Sequence, residues 1–169
     1  MTEEQTPEAA AEEQPQQAQF QLQKLYMKDV SFELPNAPQI FQDDGQVEIK
    51  MNLAQRVENL AEGVHDVVLT VTVTAMLGDK TAYLVEVQQA GIFAISGLDE
   101  QAIHVAVNTL CPHTLFPYAR RAITDLVADG GFPPLVLQPI NFDQIYAQRM
   151  QEAQSQSGAA EDMEVQGHA

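Results

Sequence analysis

The spacing of apolar residues changes once along this chain, near Leu98, and no other feature constrains the fold as strongly. Before this point apolar side chains recur at every second residue, as in Val67, Leu69 and Val71. A period of two is the spacing of a β-strand with one buried face. Beyond Leu98 the apolar side chains recur every three or four residues, which is typical of amphipathic helices. The sequence therefore predicts strands first and helices afterwards, which is an α+β fold.

The alternating half of the chain is long enough for four strands. Segment 34–45 contains two prolines and a glycine, and it predicts a long crossing loop after the first strand because proline cannot donate a ladder hydrogen bond. Gly78 and Asp79 have the composition of a tight hairpin turn between the last two strands. We expect a four-stranded antiparallel meander with strands at 20–33, 47–53, 65–77 and 81–93.

Three helices are predicted in the second half, where they would cover one face of the sheet. Asp99 is a suitable N-cap for the first helix, and Pro112 is expected to end it. The second helix carries a broad apolar stripe over 115–127, and the glycine pair at 130–131 is expected to stop it. Asn141, with a glutamine three residues later, resembles a capping box at the start of the last helix.

Charge and composition divide the chain into three parts. Its 169 residues include 24 acidic and 8 basic ones, a net charge of −16. Residues 1–19 carry five glutamates, no Lys or Arg and almost no β-branched residue, which is the composition of a disordered tail. We expect a folded domain over 20–154 and a flexible acidic tail over 155–169.

The negative charge also limits the kinds of partner. It would repel a phosphate backbone or an acidic membrane surface, so we expect no nucleic-acid binding and no membrane insertion. No apolar stretch of the sequence is long enough to span a bilayer. The N-terminus lacks the cationic and apolar regions of a secretory signal. Together these features predict a cytoplasmic protein.

Few residues have the spacing that catalysis requires. Cys111 is the only cysteine, and His113 follows it two positions later, with Pro112 between them. A catalytic pair of thiol and imidazole is one interpretation, but a lone cysteine is usually a buried structural residue. The sequence has no phosphate-binding glycine loop and no spacing of His or Cys suited to a metal. We therefore expect no enzyme activity, no catalytic residue, no metal and no cofactor.

The fourth strand is apolar on both faces, which a sheet with one solvent-exposed face does not require. Strict alternation places five large apolar side chains on the face away from the helices, together with the acids Asp29, Glu33 and Glu86. Imperfect alternation would explain this pattern without any function. Alternatively, this surface contacts another chain, and its acids attract a basic partner. The five apolar residues are Leu25, Met27, Val68, Leu84 and Ile92.

Three long runs of this sequence resemble the SecB family of protein-export chaperones. They are KLYMKDVSFELPNAPQIFQ, VLTVTVTAMLGDKTAYLVEVQQAGIF and LCPHTLFPYARRAITDLVADGGFPPLVLQPINFDQIY, and the resemblance extends over 20–147. It implies a cytoplasmic homotetramer, built as a dimer of dimers, that binds unfolded precursor polypeptides and delivers them to SecA, the ATPase of the Sec translocase. It also implies that the chain is an ATP-independent chaperone with no ATPase activity of its own.

The same resemblance assigns residues to three surfaces. The residues implied to bind SecA are Asp29, Glu33, Leu84 and Glu86. The residues implied to form the tetramer interface are Val85, Val87 and Gln89. The implied client-binding groove comprises Phe32, Phe41, Met51, Leu53, Phe93, Phe142 and Tyr146, with ordinary core packing as the alternative for each of them. A second SecA contact is implied for the acidic C-terminal end, EDMEVQGHA.

Two other non-enzymatic functions stay open at this point. A structural or scaffolding oligomer would use its apolar surface for self-association only, and it would not bind unfolded chains. A general holdase of the antitoxin type, a role that some SecB relatives have, would bind unfolded chains without serving export.

Overall fold

An antiparallel sheet with helices packed on one face forms the structure. This computed structural model describes residues 17–165, of which 156–165 are described by their backbone alone. The strands are β1 (Gln19–Glu33), β2 (Val47–Ala61), β3 (Val64–Leu77) and β4 (Lys80–Ser96). The helices are α1 (Glu100–Asn108), α2 (Leu110–Asp129) and α3 (Phe142–Val165), and a short 3-10 turn, Gln39–Gln42, lies between β1 and β2. The predicted α+β class is confirmed.

The strand order is β1-β4-β3-β2, with every pairing antiparallel. Strands β2, β3 and β4 form a meander, and residues 34–46 carry the chain from β1 at one edge to β2 at the other. This confirms the crossing loop. Strand β2 is longer than predicted because it continues to Ala61, where the alternation is weak. Its turn into β3 uses Gly63 at φ +67, and a side chain at that position would meet the carbonyl oxygen of Ile95.

The core lies between α2 and the sheet. Side chains at every fourth position of α2 are fully buried, and this spacing places them along one stripe of the helix. The stripe packs on β4 and β3, where Val71 and Val85 are buried in the same cluster. We call the opposite side of the sheet the open face. The buried stripe consists of Cys111, Leu115, Ala119, Ile123 and Val127.

Two irregularities in β1 change which of its side chains face α2. The register against β4 shifts between residues 22 and 24 and again between 27 and 29. Each extra residue reverses the alternation. Leu25 and Met27 therefore lie on the α2 side of the sheet, so their predicted placement is wrong, and Tyr26 lies on the open face. The other three apolar residues predicted on the open face do lie there, namely Val68, Leu84 and Ile92.

Side-chain caps begin α1 and α3 as predicted. Asp99 Oδ1 accepts a hydrogen bond from the Ala102 N–H at 2.7 Å. Asn141 Oδ1 accepts one from the Gln144 N–H at 3.0 Å. Each cap satisfies an N–H that has no acceptor within its own helix. In the part of the chain covered by the structure, no helix combines the length and hydrophobicity needed to cross a membrane.

Two predicted helix ends differ from the structure. Pro112 does not end α1, because that helix stops at Asn108 and Pro112 lies buried in the first turn of α2. Proline is tolerated in a first turn because the N–H groups there have no acceptor within the helix. Helix α3 continues to Val165, so the backbone is helical over most of the segment predicted as a flexible tail. Most of the predicted N-terminal tail lies outside the described residues.

Candidate functional site

Three acids and a leucine lie together on the open face, where β1 pairs with β4. Glu33 is paired with Leu84, and Ser31 is paired with Glu86, so Asp29 and Glu33 are diagonal neighbours of Glu86. These are the four residues implied to bind SecA. Their binding role stays a prediction, but the structure brings them together. We call Asp29, Glu33, Leu84 and Glu86 the acidic patch.

The acidic patch carries charge that the described part of the chain does not neutralise. Among the described side chains, those of residues 17–155, ion pairs join Lys80 to Asp43 at 2.7 Å and Arg121 to Asp125 at 3.5 Å, and neither involves the patch. From the described side chains, the one hydrogen bond to a patch carboxylate comes from Thr72, whose Oγ1 donates to Glu86 Oε2 at 2.8 Å. Three unpaired carboxylates beside an apolar leucine favour a basic partner that also carries an apolar side chain.

A partly buried hydrogen bond lies beside this patch on the open face. Tyr26 donates its hydroxyl proton to Asp66 Oδ1 at 2.8 Å. Burial, together with this bond to a carboxylate, raises the pKa of Tyr26 to about 12. Asp66 itself is 5% exposed, so the bond satisfies an acid that would otherwise lack a partner. The alternating pattern missed this contact because the two bulges of β1 move Tyr26 to the open face.

The residues implied to form the tetramer interface are buried within one chain. Val85 and Val87 are at most 1% exposed, on the side of the sheet that α2 covers. Gln89 is also buried, and its Nε2 donates to the Tyr26 carbonyl oxygen at 2.9 Å. The two valines therefore cannot contact a second copy directly, and any effect of theirs on assembly would act through the position of α2.

An open groove of about 530 Å³ runs between β1 and α2. Met27 and Tyr118 line its two sides and are each nearly half exposed, and Gln89 lies at its floor. We call this the β1–α2 groove. Strict alternation assigned two of its apolar residues, Leu25 and Met27, to the open face, so the sequence did not reveal the groove. Its other apolar lining residues are Leu25, Val30, Ala122 and Leu126.

The seven residues of the implied client groove fall into separate places. Phe32 and Phe41 join two further rings, Tyr83 and Phe132, in an aromatic cluster at the crossing loop. The centroid distances are 6.1 Å from Phe32 to Tyr83, 4.9 Å from Tyr83 to Phe132 and 5.3 Å from Phe132 to Phe41. Phe41 is 50% exposed, so the cluster opens to the surface. Phe132 was not predicted, because its ring contacts Tyr83 on β4 and Phe41 in the crossing loop, both of which are distant from it in the sequence.

A second set of these residues lies where α3 meets β2. Leu53, Phe142 and Tyr146 line one small pocket there. Tyr146 also bonds to His104 of α1, with 3.0 Å between its hydroxyl oxygen and Nδ1. Phe142 is 5% exposed and packs against Phe116, so it anchors α3 rather than lining a surface.

Two residues of the implied groove belong to neither set. Phe93 is fully buried, with its ring centroid 5.4 Å from that of Phe20, so its assignment to a surface groove is wrong. Met51 is 43% exposed on β2, two residues before Leu53, and remains accessible. Of the seven residues of the implied client groove, those accessible on the α2 side therefore belong to the aromatic cluster and to the exposed edge of β2.

The thiol of Cys111 is buried between α2 and the sheet. Burial raises its pKa from 9.0 to about 12, whereas a nucleophilic cysteine needs the opposite shift. The exposed ring of His113 packs edge-on to Phe142 at 6.4 Å between centroids. This geometry favours a structural thiol over a catalytic pair. Among the side chains that the structure describes, no three of His, Cys, Asp or Glu are arranged to hold a metal ion.

Similar proteins are found both by sequence and by fold. The family model described as Preprotein translocase subunit SecB matches residues 13–153. A relative from Nitrosococcus oceani, named Protein-export protein SecB, is 53% identical over 151 residues, 88% of this chain and 92% of the relative. A relative of the same name from Methylococcus capsulatus is 52% identical over 149 residues, 88% of this chain and 96% of the relative. A solved SecB-like chaperone from Mycobacterium tuberculosis, in complex with an antitoxin peptide, shares the fold with a TM-score of 0.61 at 16% identity, covering 72% of this chain and 90% of its own.

The raised pKa of Cys111 predicts how stability depends on pH. A thiol that is harder to ionise when folded stabilises the native state fully below pH 9, and this contribution is lost as the pH rises towards about 12. We expect the free energy of unfolding to fall less steeply above pH 9 in Cys111→Ala than in the unmodified chain. Urea unfolding at a series of pH values measures both slopes. Equal slopes would mean that the thiol ionises as easily in the folded chain as in the unfolded one.

Proposed function

This chain belongs to the SecB family of protein-export chaperones, and from this premise we propose that it binds unfolded precursor proteins in the cytoplasm and delivers them to SecA of the Sec translocase. The SecB family is not a family of enzymes, and we propose that binding and release proceed without ATP hydrolysis by this chain. The observation that carries the proposal is the arrangement of two different surfaces on one sheet. An exposed aromatic cluster lies on the α2 side, and the acidic patch lies on the open face.

The aromatic cluster suits a client that has no fixed sequence. Burial of apolar area is non-directional, so the half-exposed ring of Phe41 can cover many different apolar segments. Met51 adds a flexible side chain that adapts to irregular surfaces. The client-binding surface that we propose therefore comprises the aromatic cluster and Met51, with Leu53 and Tyr146 at the α3 end. Which proteins become clients would depend on how long each one exposes apolar segments before it folds.

The acidic patch suits SecA if that partner presents a basic surface. Three carboxylates with no ion-pair partner among the described side chains raise the local negative potential, which accelerates encounter with a cationic surface and fixes its orientation. Leu84 lies among them and offers an apolar contact. The second contact, through the C-terminal end EDMEVQGHA, stays a prediction because its side chains lie outside the described residues.

Self-association is proposed to use the β1–α2 groove. A homotetramer arranged as a dimer of dimers is the family expectation, and this groove is the large apolar surface next to Gln89. Large exposed apolar surfaces beside an uncovered strand are typical of sites that contact another chain. Val85 and Val87 would influence assembly indirectly, since α2 rests on them.

Removal of one exposed aromatic ring tests the client surface. We expect Phe41→Ala to weaken binding of a reduced, unfolded secretory precursor about tenfold, or about 1.4 kcal/mol, because the ring is an accessible apolar anchor. Leu60→Ala is the matched control, since Leu60 is also 50% exposed but lies at the far end of β2. Isothermal titration of each variant gives the affinities. Equal affinities for the two variants would contradict the assignment, and failure of the unmodified chain to bind would favour a scaffold.

Charge reversal tests the SecA surface. We expect Glu86→Lys to weaken SecA binding at least about tenfold while client binding is kept, because the changed charge lies on the open face. Glu48→Lys makes the same change near the opposite edge of the sheet and should have little effect. Surface plasmon resonance at two salt concentrations measures the difference. An unchanged SecA affinity for Glu86→Lys would point to a general holdase that does not serve export through this surface.

The native mass of the protein tests the proposed homotetramer and its use of the β1–α2 groove. We expect the unmodified chain to have four times the mass of one chain, and Met27→Asp to form smaller species, because a carboxylate would be buried in an apolar contact. Met51→Asp is the control, since that methionine is similarly exposed but lies on β2. Native mass spectrometry separates the outcomes. A tetrameric Met27→Asp would exclude the β1–α2 groove, and a monomeric unmodified chain would exclude the proposed assembly.

A further inference from the structure

Thr72 lies in the middle of β3 on the open face, directly across from Glu86 of β4. Its Oγ1 donates a hydrogen bond to Glu86 Oε2 at 2.8 Å. Threonine is branched at Cβ, so its χ1 angle is restricted and the hydroxyl is held in place by the strand. The bond therefore ties a long, flexible acidic side chain to a stiff one.

Because of its surroundings, the Glu86 carboxylate needs this bond to keep one position. Across on β1, the diagonal neighbours of Glu86 are Asp29 and Glu33, and like charges at such positions repel one another. Within the described chain no cation pairs with any of the three acids. Thr72 is the described residue whose side chain fixes the carboxylate. Without the hydroxyl, repulsion and rotamer freedom would leave the Glu86 side chain without one preferred orientation.

We propose that Thr72 is a positioning residue that pre-orients Glu86 for a cationic side chain of the partner. This inference rests on the proposed function, because it assumes that the acidic patch receives a basic partner. Thr72 engages Oε2 and leaves Oε1 of the same carboxylate for a lysine or arginine. Pre-orientation increases affinity because less side-chain freedom is lost when the partner binds.

The surface that the partner would contact combines acidic, uncharged polar and apolar side chains. On β3, Thr70 and Thr74 flank Thr72 on the same face and are half-buried, so this strand provides an uncharged floor beside the acids. Leu84, paired with Thr74, lies at one end of the patch. The partner segment that fits places a basic side chain over Glu86 and an apolar one over Leu84.

The test compares removal of the hydroxyl with its retention, using purified SecA as the probe. Thr72→Val keeps the shape of the side chain but cannot donate, and we expect it to weaken SecA binding about fivefold, less than the loss of a direct hydrogen bond to a charged group, because the carboxylate of Glu86 itself is kept. Thr72→Ser keeps the donor and should stay within about twofold of the unmodified chain. Thr114→Val is the control, because it makes the same chemical change on α2, away from the open face.

A double-mutant cycle separates positioning from a general structural role. In a Glu86→Ala background, Thr72→Val should cause no further loss, because there is no carboxylate left to orient. Thr72→Ala removes the hydroxyl with less bulk and should match Thr72→Val in both backgrounds. Native mass and thermal unfolding of every variant should match the unmodified chain.

Each outcome decides a different question. If Glu86→Ala leaves SecA affinity unchanged, the proposed SecA surface fails, and the positioning role fails with it. If Glu86→Ala weakens binding but Thr72→Val and Thr72→Ala do not, the positioning role alone is wrong. An equal loss from Thr72→Val with and without Glu86, or a similar loss from Thr114→Val, would also overturn it.

Discussion

The packing of α2 on β4 and β3 is the contact on which the other surfaces depend. A helix with its side chains is about 10 Å wide, whereas four strands spaced about 4.8 Å apart span about 14 Å between the outer axes. One helix therefore covers the central strands and leaves the edges of the same face less covered. The β1–α2 groove and the exposed Met51 on β2 both follow from this mismatch of widths.

The sheet also keeps two kinds of chemistry apart. Because successive side chains of a strand point to opposite faces, β4 buries Val85 under α2 while presenting Leu84 and Glu86 on the open face. In the proposed function, clients contact the α2 side and SecA contacts the open face. A client and SecA would then use different residues of one chain, and transfer would not require them to exchange the same contacts.

Local signals in the sequence predicted many of the elements and the acidic patch. The caps Asp99 and Asn141 are where they were expected, because a cap depends on residues only three positions apart. The bulges in β1 were missed because their extra residues, Gln23 and Lys28, are ordinary polar residues with no sequence signature. The patch was unaffected, since all its β1 members follow the second bulge.

The sequence by itself determined the α+β class, the crossing loop and the shared face of the acids, because periodicity and turn chemistry are local properties of the chain. Only the tertiary structure decided which apolar side chains stay accessible. Phe93 and Phe41 are both aromatic residues of the implied groove, yet one is fully buried and the other is half exposed. Exposure depends on what packs over a residue, and for Phe41 the packing partner is Phe132, some ninety positions further along the chain.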